Sequence, residues 1–166
     1  MFYRLLGGAA AVLVLTGAAQ AQPRAHQSSE DRHFLTEAIR GDNSEMMLGQ
    51  MATERAVSPR VRDFGRTLHD DHAHARDAAM RIAARFGVPD TQAITPEARA
   101  EAAKLRRLRG RAFDREFVRY MQHDHRKDIA EFRHEARMGG PVGQLAGQTL
   151  PDLQKHLRMA QDLDRG

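Results

Sequence analysis

The segment Phe64-Gly-Arg-Thr-Leu-His-Asp-Asp-His72 carries the pattern that decides the fold of this chain. Phe64, Leu68 and His72 follow one another at intervals of four residues, so they lie on one face of a helix. Val61 and Ile82 extend the same face on either side. The pattern predicts a long amphipathic helix that places a histidine in the middle of its buried face.

A second segment, from Phe117 to His125, repeats this spacing. In both segments a glycine follows the final histidine by fifteen residues. The matching pairs are Phe64 and Phe117, Leu68 and Met121, Asp71 and Asp124, His72 and His125, and Gly87 and Gly140. The agreement is consistent with an internal repeat, and also with chance between two amphipathic helices.

Apolar periodicity and helix-starting residues predict four long helices and one short one. Ser58-Pro59 and Thr95-Pro96 each combine a capping residue with a proline at the first helical position. The long helices are expected over about 29–56, 59–86, 112–138 and 141–163, and the short helix over about 96–108. Pro151 is expected to kink the last helix or to restart it near Thr149.

These elements predict an all-α fold, because residues that favour strands are sparse. The architecture expected is an up-down four-helix bundle. A long crossover joins the second and third long helices and carries the short extra helix.

The first residues have the features of a secretory signal peptide. Arg4 precedes the apolar run 5–15, and Ala19-Gln20-Ala21 is a small-x-small cleavage site. The run is too short to span a bilayer comfortably, and no cysteine follows it for lipid attachment. We therefore expect a signal peptide at 1–21, a disordered leader at 22–28 and the helical domain at 29–166, located in a bacterial periplasm.

Composition limits the partners and the metal ligands. The chain has no cysteine, so a metal site must use His, Asp or Glu, which suits Zn, Fe, Mn or Cu. The densest basic cluster, Lys104 to Arg111, contains no aromatic residue for base stacking. We expect a solvated helix end there and no nucleic-acid partner, and no membrane-spanning segment after signal cleavage.

Polar residues interrupt the predicted apolar faces at a shared height. With a rise of about 1.5 Å per residue, Glu45 lies about 24 Å into its helix, His72 and His125 about 20 Å, and His156 about 22 Å. In an antiparallel bundle all four meet near mid-height. Buried imidazoles and carboxylates are normally paired or bound to metal. The ring of Glu45, His72, His125 and His156 therefore indicates a transition-metal site, or a buried hydrogen-bond network derived from one.

Three aspartates are predicted to support these ligands from the next layer. Asp71 and Asp124 point about 100° away from the neighbouring histidine around their helices. Each is expected to hydrogen-bond a histidine of an adjacent helix and to fix its tautomer. Asp128 is the third residue expected in this layer.

With these motifs the chain resembles a family of secreted bacterial proteins that is ferritin-like, is catalogued as a domain of unknown function and is often labelled putative outer membrane protein. The residues that carry the resemblance are Phe34-Leu35, Gly41 to Glu45, Leu48-Gly49, Phe64 to His72, Gly110-x2-Phe113-Asp114, Tyr120 to His125 and Leu150-Pro151-x4-His156. The resemblance implies a ferritin-like four-helix bundle behind a signal peptide.

The di-iron pattern of ferritin-like proteins fits only in part. It needs a Glu on two helices and Glu-x-x-His on the other two. Glu45 fits the first Glu, and His72 and His156 fit the histidines. His69 and Leu153 stand where the motif glutamates should be. The shortage of carboxylates argues against oxygen chemistry and iron storage, and favours a mononuclear site.

Two functions remain open from the sequence. The first is a periplasmic protein that holds one transition metal. The second is a non-catalytic envelope interaction protein with a relic His/carboxylate network and no metal. It would contact an unknown protein or envelope component through an arginine patch, namely Arg106, Arg107, Arg109 and Arg111. No phosphate loop, Gly-x-Ser-x-Gly or His-Glu-x-x-His motif is present, so no enzymatic reaction is predicted.

Overall fold

The computed structural model describes the chain from residue 21 to 165, with side chains from residue 28 onward. Its elements are α1 (Ala21–Arg55), α2 (Pro59–Ala83), α3 (Pro96–Leu105), α4 (Arg111–Met138) and α5 (Gly140–Asp164), with a 3-10 turn (Ala84–Phe86) after α2. No strand occurs within 21–165, and the predicted all-α class is confirmed. The predicted signal peptide lies outside the described residues except for Ala21.

The first helix begins earlier than the sequence predicted. α1 starts at Ala21 rather than near Ser29, so the segment 22–28 is helical where a disordered leader was expected. Alanine, glutamine and arginine in this segment favour helix. Pro23 lies in the first turn, where a backbone N–H has no helical partner and its loss costs little.

The last helix is continuous through its proline. α5 runs from Gly140 to Asp164 with Pro151 inside it, so the predicted restart near Thr149 is wrong. Ala146 and Leu153, on either side of the proline, are both buried. Their packing keeps the chain helical on both sides of Pro151, which has no backbone N–H to donate within the helix.

The four long helices form two antiparallel hairpins. α1 packs along α2 and α4 packs along α5, while α2 contacts α5 across the molecule. One apolar core draws residues from all four long helices, including Leu48, Phe64, Phe117 and Ala160. None of the helices within the described range is long and apolar enough to cross a membrane.

A second apolar core lies at the other end of the molecule. It contains residues of α1, α2 and α5, such as Ile39, Ala79 and Val142, and no buried residue of α4. The polar side chains of interest occupy the layer between the two cores. At this end α1 and α4 border a cavity, and Phe34 of α1 contacts Phe132 of α4 with ring centroids 4.9 Å apart.

Two glycines bring α1 and α2 into backbone contact. A Cβ added to Gly49 would lie 2.6 Å from the carbonyl oxygen of Gly65, and one added to Gly65 would lie 2.7 Å from that of Gly49. No side chain fits at either position without moving the helices. The contact fixes how α1 is placed against α2, and so where its polar residues lie.

The crossover after α2 is tied to α1. The Asn43 side-chain amide donates to the carbonyl oxygens of Thr91 and Ala93, at 2.8 and 3.0 Å. The Ser44 hydroxyl accepts from the backbone N–H of Thr95, which itself caps α3. These contacts hold the central part of α1 in place next to the polar layer.

Candidate metal centre

Three histidines from three helices meet in the polar layer. His72 of α2, His125 of α4 and His156 of α5 are at most 4% exposed. One ring nitrogen of each lies within 4.8 Å of those of the other two. Nε2 of His125 is 3.2 Å from Nδ1 of His156. Two nitrogens bound to one tetrahedral Zn²⁺ lie about 3.3 Å apart, so this pair already has the spacing of metal ligands.

Asp42 of α1 determines which nitrogen of His72 is free. Nδ1 of His72 is 2.9 Å from Oδ1 of Asp42, and an ionised carboxylate can only accept a hydrogen bond. Burial raises the pKa of Asp42, while the hydrogen bond and the charge of His72 act against that rise. With Nδ1 donating to Asp42, Nε2 keeps its lone pair. That nitrogen is buried and has no hydrogen-bond partner.

The other two histidines are fixed in the same way. Nδ1 of His125 donates to the carbonyl oxygen of Met121 at 3.0 Å, which leaves Nε2 with the lone pair. Nε2 of His156 donates to Oδ2 of Asp71 at 2.8 Å, which leaves Nδ1 with the lone pair. The two nitrogens that face each other at 3.2 Å are therefore both acceptors when the rings are neutral.

Burial and the neighbouring imidazoles keep the rings of His125 and His156 neutral. Burial, followed by the neighbouring His72 and His156, lowers the pKa of His125 well below its usual value. Burial, followed by His72, lowers the pKa of His156 to about 4. At neutral pH no proton is held between the facing nitrogens. One nitrogen of each of the three rings thus lies within 4.8 Å of those of the other two, which is a donor arrangement that could hold a transition metal.

The fourth predicted ligand, Glu45, lies outside this convergence. It is 1% exposed, and its Oε1 lies 3.9 Å from Nδ1 of His125, the nitrogen that donates to Met121. Both carboxylate oxygens lack a hydrogen-bond partner. Burial, then the nearby Asp124, raises the pKa of Glu45 well above its usual value. The structure therefore brings together three of the four predicted ligands.

The three supporting aspartates have different surroundings. Asp71 donates nothing and accepts hydrogen bonds from His156 and Lys155, so it does pair with a histidine of another helix. Within the described part of the chain, no hydrogen bond joins Asp124 or Asp128 to a histidine. Both are half-buried and line a cavity. Burial, then Asp124, raises the pKa of Asp128 well above its usual value.

Two partners of the histidines were missed by reasoning from the sequence. Asp42 lies one helical turn before Glu45 on the same face of α1, so its position in the apolar pattern could have revealed it. The carbonyl oxygen of Met121 belongs to the main chain, and no side-chain pattern marks it. The predicted ring of Glu45 and three histidines is thus a triad supported by Asp42, Asp71 and a backbone carbonyl.

A cavity of about 900 Å³ opens between α1 and α4. His72 and Asp42 line it, whereas His125 and His156 do not. Phe34, Phe132 and Leu153 form part of its apolar wall. It lies on the side where α4 contributes nothing to the second core.

The other histidines of α2 and α4 and the arginine patch lie away from this centre. His74, His123 and His134 are exposed and His69 is half-buried. All four members of the arginine patch are exposed at the end of α3 and the start of α4. Their surroundings match the solvated helix end expected from the sequence.

Comparisons with known proteins agree with the fold. The family described as "Domain of unknown function (DUF4142)" matches residues 16–163, and the chain belongs to this family. Among solved structures, the chain is similar to the crystal structure of a DUF305 fragment from Deinococcus radiodurans, with a TM-score of 0.68 and 23% identity over 84% of this chain and 96% of that one. At this identity the likeness concerns the fold alone. A search of curated proteins found no match.

Proposed function

We propose that this protein binds one transition-metal ion through His72, His125 and His156 at the centre of a ferritin-like four-helix bundle. One observation carries the proposal. Each imidazole places one nitrogen against a protein acceptor, the remaining nitrogens of His125 and His156 face each other at 3.2 Å, and the remaining nitrogen of His72 has no partner. Without a metal, two acceptor nitrogens of neutral rings would face each other with no proton between them.

The donor set narrows the choice of metal. Three neutral imidazoles suit Zn, Cu or Fe, whereas Mn prefers oxygen ligands. Glu45 approaches the donating Nδ1 of His125 rather than the converging nitrogens, so we do not count it as a ligand of the bound ion. Its buried carboxylate would still neutralise part of the charge of a divalent ion nearby.

We further propose that residues 1–21 direct the protein to a bacterial periplasm. The support is the arrangement of Arg4, the apolar run and the small-x-small site at Ala19 to Ala21. Fractionation of cells that express the full chain tests this location. The protein should appear in the periplasmic fraction, shortened by the signal peptide.

Elemental analysis of protein purified from that fraction tests the metal site. We expect about one equivalent of Zn, Cu or Fe in the wild-type protein. His156→Ala should hold less than about a tenth of an equivalent, because it removes one of three ligands. His74→Ala is the matched control, since His74 is an exposed histidine of α2 and should leave the content unchanged.

A different result would identify a metal-free network. That result is a wild-type protein with less than about a tenth of an equivalent of any transition metal and no gain in melting temperature when Zn, Cu, Fe or Mn is added. In that case His156→Ala would cost about 1–3 kcal/mol of stability, whether or not metal is present.

A further inference from the structure

The cavity between α1 and α4 reaches the histidine cluster at His72. Of the three, only His72 lines it, and its Nε2 atom is unpartnered and buried. His125 and His156 are 0% and 1% exposed and do not line the cavity. An ion that enters through this cavity would meet His72 first.

The cavity wall is acidic although the whole chain is basic. Eight carboxylate side chains line it against one lysine, Lys127, and three histidines, including His72. The formal net charge of the chain is +4. A concave surface lined by one sign of charge concentrates ions of the opposite sign. The cavity wall therefore favours cations although the chain as a whole is basic.

The inner part of the cavity has carboxylates without cationic partners. Asp124 and Asp128 lie one turn apart on α4 and line the cavity, and both are close enough to the buried Glu45 to raise its pKa. Among the described side chains, no arginine or lysine forms an ion pair with any of the three. Glu45 is 1% exposed with both oxygens unpartnered. Burial, then the neighbouring Asp124, raises the pKa of both Glu45 and Asp128.

We infer that this cavity is the access route for a divalent metal cation, and that Asp124, Asp128 and Glu45 capture the hydrated ion before it passes to the three histidines. The inference rests on the proposed function, since it gives a route to the same site. Carboxylate oxygens bind hydrated cations readily, and imidazole nitrogens then hold Zn, Cu or Fe more firmly. The ion would therefore move from the carboxylates to the histidines, because the imidazole nitrogens bind it more tightly.

The rate of Co²⁺ uptake by the metal-free full chain tests this route. Co²⁺ is a suitable probe because its visible absorption changes when nitrogen ligands replace water. We expect Asp128→Asn to slow uptake about tenfold at low salt, with the final spectrum unchanged. The difference should shrink at high salt, since screening weakens steering of the ion.

Asp77→Asn provides the matched control, because Asp77 is an exposed aspartate of α2 outside the cavity. It makes the same change in charge and should leave the rate unaltered. Glu131→Gln is a second test variant, since Glu131 is exposed at the cavity wall and its replacement does not endanger folding. We expect it to slow uptake in the same direction, by less.

Equal uptake rates in Asp128→Asn, Glu131→Gln and Asp77→Asn would overturn the access route and leave the histidine site standing. Loss of the final Co²⁺ spectrum in Asp128→Asn would make Asp128 a permanent ligand, and would also overturn its role in capture. A wild-type protein without any Co²⁺ spectrum would instead overturn the proposed function itself.

Discussion

The tautomer of each histidine is set by a single protein acceptor, and for His72 that acceptor is Asp42. Asp42→Asn keeps the size of the side chain but supplies an amide that can donate to Nδ1. His72 would then carry its proton on Nε2, pointing at the other two histidines. We expect metal affinity to fall about 10–100-fold. Competition with a coloured chelator measures this affinity.

Asp70→Asn is the control for that substitution. Asp70 is exposed on α2 and contacts His69, away from the centre. It should leave the affinity unchanged. Equal affinities in wild type and Asp42→Asn would mean that Nε2 of His72 does not bind the ion.

Protonation of His156 should weaken the metal-free fold in acid. Its pKa is 6.5 in an ordinary setting and about 4 in the fold. Between these values the unfolded chain binds more protons than the folded one, so stability falls as the pH drops from about 6.5 towards 4. The full effect is on the order of 3 kcal/mol. Glu45 and Asp128 have raised pKa values and act in the opposite direction.

Urea unfolding in the presence of a chelator, compared between wild type and His156→Gln, isolates this contribution. The wild type should lose more stability than the variant between pH 6.5 and pH 4. Parallel pH curves would show that His156 is not held neutral in the fold. His125 has a lowered pKa as well and remains in both proteins.

The three histidines could be predicted from the sequence. Apolar periodicity shows which helix each one belongs to and how far along that helix it lies. Position along a helix can be counted from its start, whereas the direction of a side chain near the centre depends on how neighbouring helices rotate and pack. Glu45 shows the difference. It is buried in the polar layer as predicted, yet its carboxylate approaches Nδ1 of His125 rather than the converging nitrogens.

At the scale of elements, the glycine contact between α1 and α2 has a direct test. Gly65→Ala places a Cβ 2.7 Å from the carbonyl oxygen of Gly49 and 2.9 Å from Cβ of Ala52. The helices must separate, and we expect a loss of about 1–3 kcal/mol of unfolding free energy. Gly41→Ala is the matched control within α1, because no atom lies within 4 Å of the added Cβ.

The two glycine variants should change stability in opposite directions. Alanine favours helix over glycine by about 1 kcal/mol, so Gly41→Ala should stabilise the protein by up to that amount. Chemical unfolding of both variants measures the effects. Stabilisation by both substitutions would mean that α1 and α2 do not approach as closely as described.

Element boundaries could be predicted wherever local chemistry decides them. Thr95-Pro96 starts α3, and the Thr95 hydroxyl accepts from the backbone N–H of Ala98. Ser58 stands at the start of α2 but makes no side-chain cap bond. Asp114 of α4 instead accepts from the N–H groups of Val57 and Ser58. Asp114 is far from Ser58 in sequence, so the local pattern around Ser58 could not show these hydrogen bonds.

At the scale of the whole molecule, the centre joins two hairpins. His72 belongs to the α1–α2 hairpin, and His125 and His156 belong to the α4–α5 hairpin. The hydrogen bond from His156 to Asp71 already crosses between them. A metal ion held by all three histidines would act as a second cross-link, placed between the two apolar cores.

Metal should therefore stabilise the molecule as a unit rather than one hairpin. A ligand that binds only the folded state raises the unfolding free energy by about 2.7 kcal/mol at a free concentration one hundred times its Kd. We expect Zn²⁺ to give such a gain in the wild type and in His74→Ala. The gain should vanish in His72→Ala as completely as in His156→Ala, although these histidines belong to different hairpins.

Thermal and urea unfolding with and without Zn²⁺ distinguish a shared site from a local one. If α4 and α5 alone bound the ion, His72→Ala would keep most of the gain, because His125 and His156 are already 3.2 Å apart. If all three histidines bind it, removing any one leaves two imidazoles, and the affinity falls with the lost ligand. Retention of the gain in His72→Ala would thus locate the ion within the α4–α5 hairpin and remove the cross-link between the hairpins.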